Sequence, residues 1–254
     1  MKIVIAGYGY VGKAIDTVLR QSHETYIVDP AINSNKINDI DYDAMIICVS
    51  TPQSNDGSCN MQNVFDCIEE SADKPILIKS TISLEGWQEL TEKYSSRDIT
   101  FSPEFLRAKT AAQDFATQKI MYLSDRNPKF WIELFNPLLT HTIYKSGSAE
   151  ELILAKYFRN SFLATKVNFF NQIYDLCEKI NNISYDTVRQ YITDDERIGE
   201  GHSKVTNERG FGGHCFPKDV QAILRTADKK GMNLSLIREA ANYNKVIKKV
   251  KEKT

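Results

Sequence analysis

The sequence predicts an α/β protein: a Rossmann-like, doubly wound parallel sheet, followed by an all-helical second domain built on a long helix. Three observations carry this. Short runs rich in Ile and Val alternate with amphipathic stretches through the first half. A glycine-rich turn, GYGYVG, directly follows the first of those runs. From 148 to 181, apolar residues recur at helical spacing with neither Gly nor Pro among them.

The runs at 2–6, 25–28, 44–49, 76–79, 99–102 and 120–123 read as strands. They are nearly continuous in apolar character, as strands covered on both faces must be. Between them, 11–20, 62–71 and 84–94 carry helical patterns, and strand–helix alternation implies parallel strands. The stretch 148–181 is one long helix or two in tandem. A loop rich in Gly occupies 197–217, and helices follow at 220–230 and 235–251. The expected domains are therefore 1–147 and 148–254. No internal repeat or low-complexity segment interrupts them.

A length of 254 residues holds one large or two modest domains. Lys plus Arg number 32 against 33 Asp plus Glu, a net charge of −1, which argues against a nucleic-acid partner. An apolar fraction of 42% with 26% charged residues is globular composition, not that of a disordered chain. Cys48, Cys59, Cys67, Cys177 and Cys215 are odd in number and scattered, and His23, His141, His202 and His214 lack ligand spacing. Neither disulfides nor a metal is expected, and a reducing cytoplasm suits the thiols. The opening MKIVIAG is too short an apolar run for a signal peptide, and no 18-residue apolar stretch occurs. A soluble protein with no membrane partner is the expectation.

The GxGxxG turn has its strand before it, its helix after it, and Asp29 closing the second strand. Gly7 permits the tight turn, Gly9 lets a pyrophosphate approach the backbone, and Gly12 allows close helix–strand packing. Tyr10 and Val11 open a helix whose N-terminus offers N–H groups to phosphates. Asp29 would accept ribose hydroxyls and repel a 2′-phosphate, which favours NAD over NADP.

The densest chemical signal is GFGGHCFPKD, 210–219. Glycines crowd Cys215 on one side, as access to a nucleophile requires; the bland alternative is an inert core thiol. His214 invites a role as base, but adjacent side chains point apart, which argues against it.

This segment resembles the catalytic-cysteine motif of the UDP-glucose/GDP-mannose (nucleotide-sugar) dehydrogenase family. The other motifs follow in family order: GYGYVG, VSTP at 49–52, KST at 79–81, SPEFLR at 102–107, KYFRNSFLATKVNFFNQI at 156–173 and DERIG at 195–199. The resemblance implies a four-electron oxidation of a sugar C6 alcohol to a carboxylate, typically UDP-glucose to UDP-glucuronate for polysaccharide biosynthesis, with two NAD per turnover. It makes Cys215 the nucleophile of a thiohemiacetal and then a thioester. Lys156 and Asn160, one helical turn apart, would stabilise the oxyanion, and Asp219 would pair with Lys156 and hold the water. Glu104 and Thr81 would assist hydrolysis. The matching cofactor positions add Thr51, Pro52 and Thr81. Substrate would be lined by Phe105, Leu106, Arg107, Phe211 and Gly212, with Lys156, Asn160 and Arg197. Arg197 matches an arginine that reaches across a dimer interface, and the final helices match the dimer-forming region, so a homodimer is implied. Without that context, Lys156, Asn160 and Arg197 read as ordinary solvated surface residues.

Three departures from the family pattern matter. The connection from Asp29 to Asp43 is short. Ile153 stands where the family has a glutamate, with Glu150 and Glu151 upstream. After KVIKKVKEKT the family continues into another nucleotide-binding α/β domain of roughly 100–150 residues. A working dehydrogenase, either compact or completed by a partner chain supplying that domain, is one expectation; an NAD-binding, dimerising remnant without turnover is another. A two-electron hydroxyacid dehydrogenase, which needs no cysteine, is the third.

Overall fold

A computed structural model describes residues 1–54, 56–213 and 215–251, the last three by backbone alone. His214 lies outside the described residues. The chain forms two compact units, Met1–Lys156 and Tyr157–Thr254.

In the first unit, five strands form one parallel sheet in the order β2-β1-β3-β4-β5. These are β1 (Lys2–Ala6), β2 (Glu24–Val28), β3 (Ala44–Ile47), β4 (Ile76–Ile78) and β5 (Ile99–Phe101). Their apolar runs are explained by cover on both faces: β3, β4 and β5 are buried throughout. The crossover helices are α1 (Tyr10–Leu19), α2 (Gln62–Glu69) and α3 (Leu84–Lys93), and α4 (Ala111–Ala116) follows β5. One core cluster packs Ile3, Ile5, Ile46 and Leu77 with Ile15 and Leu19 of α1 and Phe115 of α4. The doubly wound sheet is therefore as expected. Its order reverses between β1 and β3, which places the ligand crevice of such sheets at the ends of those strands.

The short connection after Asp29 contains only a 3-10 turn, Ile37–Asp39, so β2 stands at the sheet edge. Beyond β5, β6 (Ile120–Ser124) and β7 (Ile143–Gly147) form a second parallel pair around α5 (Pro128–Phe135). Side chains bond β6 to β5: Ser124 Oγ accepts from Phe101 N at 2.9 Å, and the Ser102 hydroxyl donates to the Tyr122 carbonyl at 2.7 Å. Sequence reading does not anticipate β7, because IYKSG is a largely polar strand with Ile143 exposed.

The long helical pattern is one helix, α6 (Ala149–Cys177), not two. It begins in the first unit and runs into the second. The second unit adds α7 (Tyr185–Thr193), α8 (Phe216–Lys229) and α9 (Ser235–Lys251). The α7 helix, absent from the sequence reading, starts at Ser184, whose hydroxyl accepts from Thr187 N. Ala164, Phe211, Val220, Leu224 and Ala241 form a core cluster of this unit. Among the described residues, no helix is long and apolar enough to cross a membrane.

Candidate active site

In the first unit the glycine turn sits at the switch point. Gly7 has φ +90°, and its N–H donates to the Val28 carbonyl at 2.9 Å. A Cβ there would lie 2.7 Å from backbone atoms of Cys48 and Val49, at the end of β3. Alanine at position 7 combines a left-handed φ with a backbone clash, so Gly7→Ala is expected to destabilise the first unit by about 3 kcal/mol or more. Denaturant unfolding measures this, and a loss under about 1 kcal/mol contradicts it. A Cβ on Gly12 would lie 2.1 Å from the Gly7 carbonyl oxygen, so α1 can pack down only with glycine there. Gly9, which caps α1, faces open space: nothing lies within 4 Å of a Cβ built on it. That opening at a helix N-terminus fits a pyrophosphate. Tyr10 and Val11 form the first turn of α1, half-buried.

Asp29 lies beside this turn. Its Oδ2 accepts from Tyr8 N at 2.6 Å and its Oδ1 from Ala31 N at 2.9 Å, which fixes the carboxylate at the end of β2. A second aspartate, which sequence reading misses, braces the same turn. Asp16 is 1% exposed on α1 and accepts from the Tyr8 hydroxyl at 2.5 Å and the Thr25 hydroxyl at 2.7 Å, while pairing with Arg20. Its bond to Tyr8 is the largest influence holding that phenol above its usual range. The signal available was an acid on the buried face of an amphipathic helix, which needs local partners.

Thr51 is buried just past β3, and the Pro52 carbonyl accepts from Asn60 N at 2.9 Å. Thr81, half-buried past β4, receives the Cys59 thiol on its carbonyl at 3.5 Å. Glu104 is one half of a buried ion pair. Lys79 Nζ lies 2.9 Å from its Oε2, with side-chain exposures of 1% and 6%. The same ammonium donates to Ser102 Oγ at 3.1 Å, and Phe105 N donates to Glu104 Oε1 at 2.7 Å. Phe105 stacks edge-on to Tyr122 and Leu106 packs against the core. Arg107 is exposed and grips Asp114, donating from Nε at 3.0 Å and Nη2 at 2.6 Å. Those donors hold the Asp114 carboxyl far below the usual range. Burial pushes the Cys48 thiol up, and the Cys67 thiol up to about 12, so both stay protonated.

Lys156 is buried on α6, the last residue of the first unit. In the second unit, Asn160 Nδ2 donates to Asp219 Oδ2 at 2.6 Å. Lys218, quoted in the motif but assigned no role from sequence, donates to the other oxygen of Asp219 at 2.6 Å. Asp219 is 1% exposed on the first turn of α8. Cys215 caps that helix: it is half-buried, outside any disulfide, and its carbonyl accepts from Asp219 N at 2.9 Å. Phe211 is buried and Gly212 half-buried ahead of it. Arg197 lies apart from this cluster, 89% exposed and paired bidentately with Asp195 at 2.5–3.1 Å. Lys166 steadies its loop, donating to the Ile198 and Gly199 carbonyls at 2.6 and 2.9 Å. The structure thus joins Asn160, Lys218, Asp219 and Cys215 around the start of α8, and the glycine turn with Asp29 at the switch point.

The first of these arrangements marks a cysteine-bearing helix start, and the second a dinucleotide cradle on a doubly wound sheet. Comparison with known proteins sharpens the class. Residues 38–134 match the NAD-binding domain, and residues 149–246 the central domain, of the UDP-glucose/GDP-mannose dehydrogenase family. The chain belongs to that family, and its cofactor is NAD. UDP-glucose 6-dehydrogenase of Rickettsia felis is 29% identical over 80% of this chain, which spans 48% of that relative's length. A UDP-glucose dehydrogenase structure from the hyperthermophilic archaeon Pyrobaculum islandicum superposes with a TM-score of 0.82 at 22% identity, covering 96% of this chain and 68% of its own. The 3-hydroxyisobutyrate dehydrogenase of Mycobacterium tuberculosis shares the fold with a TM-score of 0.74 at 18% identity, covering 96% of this chain and 93% of its own.

Proposed function

We propose that the chain carries out NAD-dependent oxidation of the primary alcohol of a nucleotide sugar, with UDP-glucose as the first candidate, in the cytoplasm. The observation that carries this reading is the buried Asp219 carboxylate, held by half-buried Asn160 and Lys218 at the start of the helix that Cys215 caps. NAD held at Gly7, Gly9, Tyr10, Val11, Gly12, Asp29, Thr51, Pro52 and Thr81 would supply the hydride acceptor, used twice because alcohol to acid is a four-electron change. Cys215 sulfur would add to the aldehyde carbon as a thiohemiacetal, which becomes a thioester and is then released by water. The charge developing on oxygen meets backbone N–H groups at a helix N-terminus and the amide of Asn160, with Lys156 as the expected cation. Asp219, with both oxygens already engaged, would orient water; Glu104 and Thr81 carry the family's expected assisting roles. Phe105, Leu106, Arg107, Phe211, Gly212 and Arg197 are the proposed substrate contacts. The two arginines are paired with acids here, and substrate would have to compete with Asp114 and Asp195 for them.

The test is NADH absorbance during incubation with NAD and UDP-glucose, GDP-mannose or UDP-N-acetylhexosamines. Turnover with one of them supports the reading; none with any, alone or with candidate partner chains, rejects it and favours a cofactor-binding remnant.

We also propose a homodimer, and the exposed apolar residues favour α6 as its seam alongside the final helices expected from sequence. Phe158, Phe162, Phe169 and Leu176 recur along α6 and are 42–68% exposed. A row of large apolar side chains in water is unusual without a partner. Phe162→Glu is expected to convert a dimeric mass to a monomeric one by light scattering at micromolar concentration. A wild-type chain that is itself monomeric contradicts the assignment.

A further inference from the structure

We propose that Asn171 and Asn244 are positioning residues for Cys215, an amide clamp that seats the chain leading into the thiol. Asn171 is 1% exposed on α6; its Oδ1 accepts from Arg209 Nε at 2.8 Å and Gly210 N at 3.2 Å. Its own Nδ2 is spent on the Val167 carbonyl at 2.8 Å, which sets the orientation of the amide. Asn244 is 7% exposed on α9 and engages both backbone groups of one residue. Its Oδ1 accepts from Phe211 N at 2.7 Å and its Nδ2 donates to the Phe211 carbonyl at 3.0 Å.

Buried backbone groups must find partners, and here one side chain satisfies both. The pairing admits a single register, because sliding the loop by one residue breaks both bonds together. Apolar packing of the Phe211 ring could not impose that by itself. Gly210 makes the approach possible: with φ +59°, a Cβ there would lie 2.3 Å from Asn244 Oδ1 and 2.8 Å from Ile247 Cδ1. Arg209 adds a third tether, donating to Asp175 Oδ1 at 2.5 Å with its guanidinium 4.8 Å from the Tyr174 ring centre. Residues 209–211 are thus a fixed post. Cys215 is fixed from the other side by its place at the start of α8. Only positions 212–214 span the two, and two of those three are glycine. The clamp therefore limits where the thiol can sit without touching it.

This rests on the reading of Cys215 as nucleophile, so the deciding measurement does not require turnover. Iodoacetamide labelling of the full chain, resolved cysteine by cysteine by mass spectrometry, is run beside hydrogen exchange of the Phe211 amide. Asn244→Leu removes both bonds; Asn244→Asp keeps the acceptor for Phe211 N and guards against simple misfolding. In Asn244→Leu, the Phe211 amide is expected to lose about tenfold in protection, and Cys215 to label several-fold faster. Cys177, buried on α6 in the same unit, serves as the control and should keep its rate. Asn244→Asp should fall between. Where a nucleotide sugar is turned over, kcat falls about tenfold with KM for NAD unchanged. Equal acceleration at Cys177 and Cys215, or an unchanged Cys215 rate once Phe211 protection is lost, overturns the proposal. Absence of wild-type turnover rejects the proposed function instead, and the labelling arm still decides the clamp.

Discussion

Replacing Lys79 with methionine is expected to cost the first unit about 3–5 kcal/mol, because it strands the Glu104 carboxylate in the interior. The pair is almost wholly removed from water, at 1% and 6% exposure, so solvent cannot take over the lost partner. Each ion was desolvated in folding, and their 2.9 Å attraction offsets that cost only while both are present. Glu104→Leu should behave alike, leaving the ammonium with the Ser102 hydroxyl as its acceptor. The double variant Lys79→Met/Glu104→Leu is expected to recover most of the loss, since a packed apolar pair avoids the desolvation altogether. The chain's two tryptophans, Trp87 and Trp131, are both buried in the first unit, so fluorescence during urea unfolding reads that unit directly. A single variant within about 0.5 kcal/mol of wild type would show that water reaches the pair.

Cys215→Ala is expected to remove formation of the acid product, by at least about a thousandfold in rate. The loss follows from the proposed scheme: without sulfur there is no thioester, and the second oxidation has no covalently held substrate. Folding should be largely kept, because Cys215 is only half-buried and α8 is held by the core contacts of Val220 and Leu224. The same variant separates the competing chemistries. A hydroxyacid oxidation of the kind named by the Mycobacterium tuberculosis structural relative passes two electrons and needs no thiol, so it would survive intact. Product analysis by mass spectrometry alongside NADH formation distinguishes acid from aldehyde.

The parts of this molecule that the sequence revealed are those governed by local rules. Strands β3, β4 and β5 are buried along their whole length, so their apolar runs could mean little else. Gly7 and Gly12 are required by close backbone approach, and the motif spacing records it. The features that escaped depend on residues far apart in the chain. Asn244 meets Phe211 across 33 positions and Lys79 meets Ser102 across 23, and no spacing rule announces either. Strand β7 escaped for a different reason: at the end of its sheet with polar side chains, it lacks the pattern of a buried strand. Arg107 and Arg197 were legible as residues but not as geometry, since acids seven and two positions away hold their guanidinium groups.

The bare connection after Asp29 also makes β2 a growth point. Most of residues 30–36 are exposed, and β2 has a strand partner on one side only, while the Asn33 and Asn35 amides donate to its Ile27 carbonyl at 3.0 Å. A strand–helix unit inserted there could dock on that edge by displacing the two asparagine amides, and widen the sheet with the buried contacts of β1 and β3 left in place. The segment is thus a permissive splice site, where a broader wall around the cofactor could be grafted in one step.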